Sequence, residues 1–267
     1  MRHIKLLIEY DGTDYQGWQT QRSGNTVQDI LKDNIFSITG EHVRLTGASR
    51  TDAGVHALGQ VAAFATHSGL PVDTISRALN ANLPQDIRVL SSEETESDFH
   101  PRYNALKKSY FYIIAVKTGP SAFLYRYLWD VKTKLDVEAM IKAAGILEGK
   151  HDFSSFRGSG CSAKTTVREI CSLEISRHRK ISFMSAAVKG DFIKIRIEAN
   201  AFLRHMARNI VGTLVEIGRG RISPETIKEI LKSCDRKKAG PTAPSKGLFL
   251  EKIIYPVRDS SLTGFTE

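Results

Sequence analysis

The segment KKSYFYIIAV (residues 107–116) carries bulky apolar and aromatic side chains at odd and even positions alike. A strand that is apolar on both faces is typical of the inside of a sheet rather than its edge, because both of its faces must be covered. We therefore predict a central strand near the middle of this 267-residue chain, and expect the other elements to assemble around it.

Elements before this strand show the two periodicities of regular structure. HIKLLIEY (3–10) alternates apolar and polar residues, as a half-buried strand does. TVQDILKDNIFSIT (26–39) repeats apolar residues at helical spacing, and Thr26 with Asp29 resembles a capping box. Two strands within residues 43–66 and a further helix complete the order. Strand, helix, two strands and helix indicate an α+β fold.

The second half of the chain shows a related order. LDVEAMIKAAGILEGK (135–150) predicts a helix with Asp136 as its N-cap. FIKIRIEA (192–199) alternates strictly and predicts a strand. AFLRHMARNIVGTLVEIG (201–218) predicts a long helix, and LFLEKIIY (248–255) a closing strand. Two similar α+β halves therefore fit the chain.

The acidic and polar segment SSEETESDFHPR (91–102) is the most linker-like stretch between these halves. We accordingly predict an amino-terminal lobe over residues 1–100, a carboxy-terminal lobe over 101–257 and a tail over 258–267.

The composition indicates a globular protein that attracts polyanions. Apolar residues make up 41% of the chain, and 38 Lys and Arg against 29 Asp and Glu give a net charge of +9. Such a field draws in nucleic acid, although a basic, solvated surface is an equally good interpretation of the charge alone. No apolar stretch is long enough to span a bilayer or to act as a signal peptide, so we expect no membrane association.

The cysteines and histidines do not show the spacing that is typical of a CxxC pair or of a metal site. The three cysteines form no CxxC pair, so we expect reduced thiols and a cytoplasmic protein. The eight histidines show no HxxxH spacing, which makes a zinc site improbable, and we predict no metal.

A single carboxylate stands out in GASRTDAGVHALGQVAAF (47–64), where Asp52 lies between two predicted strands. Gly47 and Gly54 allow a tight turn that could present Asp52 at a surface. An aspartate beside glycine more often caps its own turn, and this segment alone leaves that alternative open.

Arg208 is a candidate partner for this acid. On a helical wheel of 201–218, one face is apolar, and valines add apolar surface on the side of Arg204 and Arg208. A guanidinium directed into such surroundings needs an ionised partner or phosphates, and Asp52 could be that partner. An arginine that reaches solvent at the rim remains the alternative.

If the pair forms, the guanidinium favours the charged form of Asp52. An ionised aspartate is a poor general acid but a usable nucleophile or electrostatic stabiliser. Two-carboxylate and two-metal chemistry are disfavoured, because no second acid is close to Asp52 in sequence. Asp11 and Asp14 are the other candidate pair, and we interpret them as turn residues.

These residues carry a family resemblance. GASRTDAGVHALGQVAAF resembles the RTDAGVHA signature of the tRNA pseudouridine synthase A family, and further segments resemble that family in the expected order over about residues 4–255. Those segments are IEYDGTDYQGWQTQ (8–21), FHPRYNALKKSYFY (99–112), HDFSSFRGSGC (151–161), NAFLRHMARNIVGTL (200–214) and TAPSKGLFL (242–250).

The resemblance implies an isomerase that converts uridine to pseudouridine in the anticodon stem-loop of tRNA, at positions 38, 39 and/or 40, without cofactor or metal. Asp52 matches the catalytic nucleophile, which attacks either ribose C1′ or the uracil ring. Tyr110 matches the tyrosine that stacks on the base and helps to move its proton, and Arg208 the partner of the aspartate. Arg50 matches an arginine that holds the everted nucleotide.

The same resemblance extends to further substrate contacts and to the assembly. We also predict Arg157, Lys164, Arg168, Arg204 and Leu248 among the substrate-binding residues, although Arg204 stands where a histidine is usual in the family. The segment RGSGCSAKTT (157–166) fits a mobile basic loop that clamps RNA, and a plain solvated linker is equally compatible. We expect a cytoplasmic homodimer with tRNA as its partner.

The complete prediction is an α+β fold of two similar lobes, each a mostly antiparallel sheet with helices on one face, and a catalytic cleft between them. A non-catalytic tRNA-binding or chaperone protein on the same scaffold is the first rival, and a metal-dependent nuclease is the second.

Overall fold

The computed structural model describes residues 1–22, 24–117, 119, 121–183 and 186–256. The predicted tail, residues 258–267, lies outside the described residues. Among the described residues, no helix combines the length and the apolar character needed to cross a bilayer.

The described residues form ten strands and five α-helices. The strands are β1 (Arg2–Tyr10), β2 (Thr46–Gly47), β3 (His56–Thr66), β4 (Ile87–Thr95), β5 (Lys107–Val116), β6 (Trp129–Val131), β7 (Gly149–Asp152), β8 (Val167–Phe183), β9 (Ala186–Ala199) and β10 (Leu248–Ile254). The helices are α1 (Val27–Thr39), α2 (Val72–Asn82), α3 (Val137–Leu147), α4 (Met206–Gly218) and α5 (Thr226–Ser233).

The strands of both halves form one continuous sheet in the order β4-β1-β3-β10-β5-β9-β8-β7, with β2 beside β3 and β6 beside β5. The α+β class and the central place of β5 are confirmed. The last strand, β10, pairs in parallel with β3 and antiparallel with β5, and thereby joins the two halves. The halves share a sheet rather than holding one each, which corrects that detail of the prediction. The predicted lobe boundary remains a prediction.

Helices cover one face of this sheet, as predicted. The inward side chains of all five helices belong to the same buried core as Ile4, Leu6 and Ile8 of β1 and the even-numbered Tyr110, Tyr112 and Ile114 of β5. The opposite face is partly covered. There Phe111 stacks on Phe249 with ring centroids 4.7 Å apart, and the ammonium of Lys194 lies 4.7 Å from the Phe111 ring.

The helices α1 and α3 begin where their predicted capping residues place them, and α4, which has no side-chain cap among the described residues, begins later than predicted. Thr26 accepts a hydrogen bond from the Asp29 backbone N–H at 3.3 Å, and Asp136 accepts one from Ala139 at 3.0 Å, so both predicted caps are confirmed. The prediction of a helix from residue 201 is wrong: α4 begins at Met206, because His205 has a left-handed backbone with φ of 60°. Arg204 therefore lies outside the helix.

Candidate active site

A cleft of about 860 Å³ opens on the helix-bearing side of the sheet. Both halves of the chain line it: Gln16, Gln19–Gln21 and residues 48–53 come from the first half, and residues 160–163 and 202–208 from the second. Tyr110 and Lys108 of β5 and Leu248 of β10 also line it. The central strands thus contribute residues from both parts of the sequence to one cleft.

The turn that carries Asp52 is held by the neighbouring amino-terminal loop. Gly54 has φ of 74°, and the Val55 N–H donates to the Asp52 carbonyl at 3.1 Å, so the chain turns tightly here. Gly17 packs directly on this turn, where a Cβ would lie 2.5 Å from the Thr51 carbonyl oxygen. The Trp18 N–H donates to the same carbonyl at 3.1 Å. This close backbone packing gives the turn a defined position.

Asp52 forms the predicted ion pair with Arg208 across the cleft. Nη1 of Arg208 donates to Oδ2 of Asp52 at 3.0 Å, and the two side chains are 16% and 24% exposed. The Nε–H of Arg208 donates to the Ala243 carbonyl at 2.8 Å, so the guanidinium is held at two points. The carboxylate is therefore directed at the arginine while it remains open to the cleft.

A buried amide organises the support behind Arg208. The neighbouring Asn209 is fully buried, and its Oδ1 accepts hydrogen bonds from Arg236 at 3.0 Å and from Thr242 at 2.6 Å. Its Nδ2 donates to the Phe156 carbonyl at 2.8 Å. Gly212, one helical turn later, leaves room for the Pro241 carbonyl, which a Cβ would meet at 1.7 Å. Segment 236–243 is thus packed tightly enough to hold the Arg208 side chain.

His205 is a site residue that the sequence interpretation missed. Its Nε2 lies 3.6 Å from Oδ1 of Asp52, on the carboxylate oxygen that Arg208 does not bind. Burial is the main cause that lowers the pKa of His205; the negative charge of Asp52 opposes it, and the positive charges of Arg208, Arg204 and Arg236 add to the lowering. A neutral imidazole beside the carboxylate follows at neutral pH. A positive φ in a non-glycine residue often marks a functional position, but it is not visible in sequence.

Tyr110 lines the cleft from the central strand and is only 5% exposed. Its hydroxyl shares a 2.7 Å hydrogen bond with Ser49, and Phe202 contacts its ring edge-to-face at 4.9 Å. Burial raises the pKa of Tyr110 far above its ordinary value, despite the hydrogen bond with Ser49. The phenol is therefore neutral at physiological pH, and its apolar surface is its main property here.

The charges that line the cleft are strongly unbalanced. Six of the described lining residues are arginine or lysine, and Asp52 is the one carboxylate among them. The six are Arg50, Arg102, Lys108, Arg168, Arg204 and Arg208. Within the described part of the chain, only Arg208 of these six forms an ion pair with a carboxylate. Such a cleft attracts a polyanion and holds a single acid within it.

The predicted substrate-binding residues divide into two groups. Arg50, Arg168, Arg204 and Leu248 line the cleft together with Tyr110. Arg157 and Lys164 are exposed and are not among its described lining residues. Sequence reasoning missed Arg102 and Lys108, although both lie within the family-like segment 99–112.

Asp11 and Asp14, which the sequence analysis interpreted as turn residues, do not line the cleft. Asp11 accepts hydrogen bonds from the Thr13 N–H at 2.9 Å and from the Tyr127 hydroxyl at 2.7 Å, as a turn residue does. Burial alone would raise the pKa of Asp11, but hydrogen bonds from His56, Thr13 and Tyr127 hold it well below its ordinary value. The described residues contain no group of three or more metal-ligating side chains.

Known proteins resemble this chain over nearly its whole length. The sequence profile of the family described as tRNA pseudouridine synthase matches residues 6–104 and 143–256. tRNA pseudouridine synthase A of Acetivibrio thermocellus is 49% identical over 255 residues, which are 96% of this chain and all of that protein. tRNA pseudouridine synthase A 2 of Clostridium perfringens is 46% identical, and the enzyme of Thermodesulfovibrio yellowstonii 42%, with the same coverage.

Proposed function

Because the chain belongs to the tRNA pseudouridine synthase family, we propose that it isomerises uridine to pseudouridine in tRNA, with Asp52 as covalent nucleophile. In this reaction the N1–C1′ bond of uridine breaks, the uracil turns, and a C5–C1′ bond forms. C5 loses a proton and N1 gains one, so the product is an isomer and needs no oxidant or water. Asp52 bonds transiently either to C1′ or to the uracil ring and is released unchanged.

The observation that carries the proposal is the lone ionised acid in a basic cleft. Arg208 holds one oxygen of Asp52 at 3.0 Å, which orients the carboxylate and leaves the other oxygen towards His205 and the cleft. A carboxylate that is oriented in this way, with one oxygen still facing the cleft, suits nucleophilic attack. The five other basic lining residues form no ion pair within the described part of the chain, and they suit the phosphates of an RNA.

The cleft also suits an everted base. A uridine in a paired stem must leave its stack before a side chain can reach its glycosidic bond, at a cost of a few kcal/mol. Stacking on an aromatic ring returns about 1–3 kcal/mol per base. We assign this role to Tyr110, whose neutral phenol is better suited to stacking than to removing a proton. Arg50, which lines the same cleft, holds the everted nucleotide.

The decisive experiment replaces Asp52 with asparagine. The variant is expected to bind unmodified tRNA as the wild type does and to form no pseudouridine, as mapped by carbodiimide modification and primer extension. A non-catalytic RNA-binding or chaperone protein would yield no pseudouridine even as wild type. A metal-dependent nuclease would shorten the RNA and lose activity with a chelator, whereas isomerisation leaves chain length and mass unchanged.

Three finer points belong to the same proposal. We propose tRNA positions 38, 39 and/or 40 as targets, a homodimer as the active form, and action in the cytoplasm. The first two derive from the family resemblance, and the free thiols of Cys161, Cys171 and Cys234 are consistent with the third. The primer-extension map tests the positions, and light scattering after gel filtration tests the dimer.

A further inference from the structure

Lys108 is a buried cation in the cleft, and no counterion contacts it among the described residues. Its side chain is 6% exposed, and it lies on β5 two residues before Tyr110, so both side chains project from the same face of the sheet. Its Nζ donates to the Ala48 carbonyl at 2.5 Å, although an ammonium has three N–H donors. No described carboxylate forms an ion pair with it.

Two arginines add further positive charge around Lys108. Arg102 and Arg168 line the same cleft, and neither forms an ion pair within the described residues. Nη1 of Arg168 donates to the Val167 carbonyl at 2.6 Å, but its buried Nε has no hydrogen-bond partner there. Burial and then the charges of Arg102 and Arg168 lower the pKa of Lys108 to about 8. Without a ligand, the three cations repel one another.

Taking the proposed function as given, we infer that Lys108, Arg102 and Arg168 form a subsite for one backbone phosphate of the RNA. The ligand carries the negative charge and the several acceptor oxygens that this cluster lacks, and arginine and lysine are the side chains that bind phosphate. The subsite is distinct from the Asp52–Arg208 pair, which already contains its own anion.

The position of Lys108 indicates which phosphate it holds. Two residues along a strand span about 6.6 Å, so Lys108 lies one short step from Tyr110, against which the target base stacks. Its hydrogen bond to Ala48 also connects it to the segment that continues through Arg50 to Asp52. The phosphate is therefore next to the everted uridine, and its capture positions the Asp52 turn relative to the nucleotide.

The salt dependence of binding gives the first test. Lys108→Met is expected to reduce the slope of log affinity against log salt concentration by about one, because one phosphate contact is lost. Lys107→Met is the matched control, since Lys107 precedes Lys108 on β5, is 43% exposed, pairs with Glu198 and does not line the cleft. An unchanged slope in Lys108→Met, or an equal loss in both variants, would overturn the inference.

Removal of one phosphate charge at a time gives the sharper test. A tRNA assembled from synthetic pieces carries a neutral methylphosphonate at one of the positions flanking the target uridine, and Asp52→Asn protein binds it without turnover. The methylphosphonate at one of these positions is expected to weaken binding about 10-fold, which corresponds to the loss of one charge-assisted hydrogen bond. In protein that also carries Lys108→Met, the same methylphosphonate is expected to cause no further loss of affinity. If every methylphosphonate costs both proteins the same, the subsite does not exist.

One further variant separates the inference from misfolding, and the wild type separates it from the proposed function. Should Lys108→Met melt at a much lower temperature, Arg102→Gln replaces it, because Arg102 is exposed and its loss leaves no cavity. Arg102→Gln is expected to lose part of the same methylphosphonate effect, and an undiminished effect counts against the subsite. These measurements follow binding alone. A wild type that binds as described but makes no pseudouridine would refute the proposed function and leave the phosphate subsite standing.

Discussion

Replacing Arg208 with lysine keeps the positive charge beside Asp52 and removes the fork that binds two acceptors. In the wild type, Nε donates to the Ala243 carbonyl at 2.8 Å and Nη1 to Asp52 at 3.0 Å. A single ammonium on a different stem cannot occupy both positions. Loss of one charge-assisted hydrogen bond costs about 1.5–3 kcal/mol, which corresponds to a turnover about 10- to 150-fold slower if the carboxylate must be oriented for reaction.

Single-turnover kinetics with saturating enzyme measure this effect, and filter binding measures affinity for the same tRNA. Affinity is expected to change by less than about threefold, because the charge remains and the other five cations of the cleft are untouched. Arg219→Lys is the matched control: Arg219 lies at the far end of α4, donates to Glu216 at 2.7 Å and does not line the cleft. Wild-type turnover in Arg208→Lys would refute the orienting role of the ion pair.

Three other outcomes follow from the backbone and from buried charge. His205→Gly relieves a positive φ that costs an L-residue about 1–2 kcal/mol. Thermal melting should therefore show equal or slightly higher stability, while the single-turnover rate falls. A loss of both stability and rate would indicate that His205 is a purely structural residue. Gly212→Ala should lower the free energy of unfolding, measured in urea, by about 1–3 kcal/mol, because the new Cβ would overlap a backbone carbonyl. Gly145→Ala in α3 is the control: its Cβ would meet nothing within 4 Å, and the variant should not be less stable than the wild type. The pKa of Lys108 is about 8 in the folded protein against 10.5 for the free side chain. The wild type should therefore gain stability relative to Lys108→Met as pH rises from 8 to 10.5, by about 3 kcal/mol at most. Urea unfolding at both pH values measures this difference, and a difference that does not change with pH would contradict the prediction.

The local sequence determined the elements whose signals are local. The apolar run of 107–116 identified the central strand, and the capping residues Thr26 and Asp136 marked two helix starts within one residue. These signals succeed because periodic burial and capping depend on neighbours along the chain. The ordered motifs likewise singled out Asp52, Tyr110 and Arg208 as candidate site residues, by resemblance alone.

The tertiary structure decided the contacts between distant parts of the chain. Asp52 and Arg208 are 156 positions apart, and whether they meet depends on how both halves are brought to one cleft. That arrangement follows from the insertion of β10 between β3 and β5, which no strand pattern specifies, because alternation reports which face is buried but not which strand lies beside it.

Residues that the sequence interpretation missed illustrate the same limit. The left-handed backbone of His205 precedes α4, and its imidazole lies beside Asp52 in the site. Helical periodicity alone predicted a helix that runs through this position. Lys108 precedes an identified tyrosine by two residues, yet its significance arises from burial beside Arg102 and Arg168. Sequence therefore determined the elements and the chemistry available, and tertiary packing decided which charges share one enclosed space, since burial of a charge is a property of its surroundings in three dimensions.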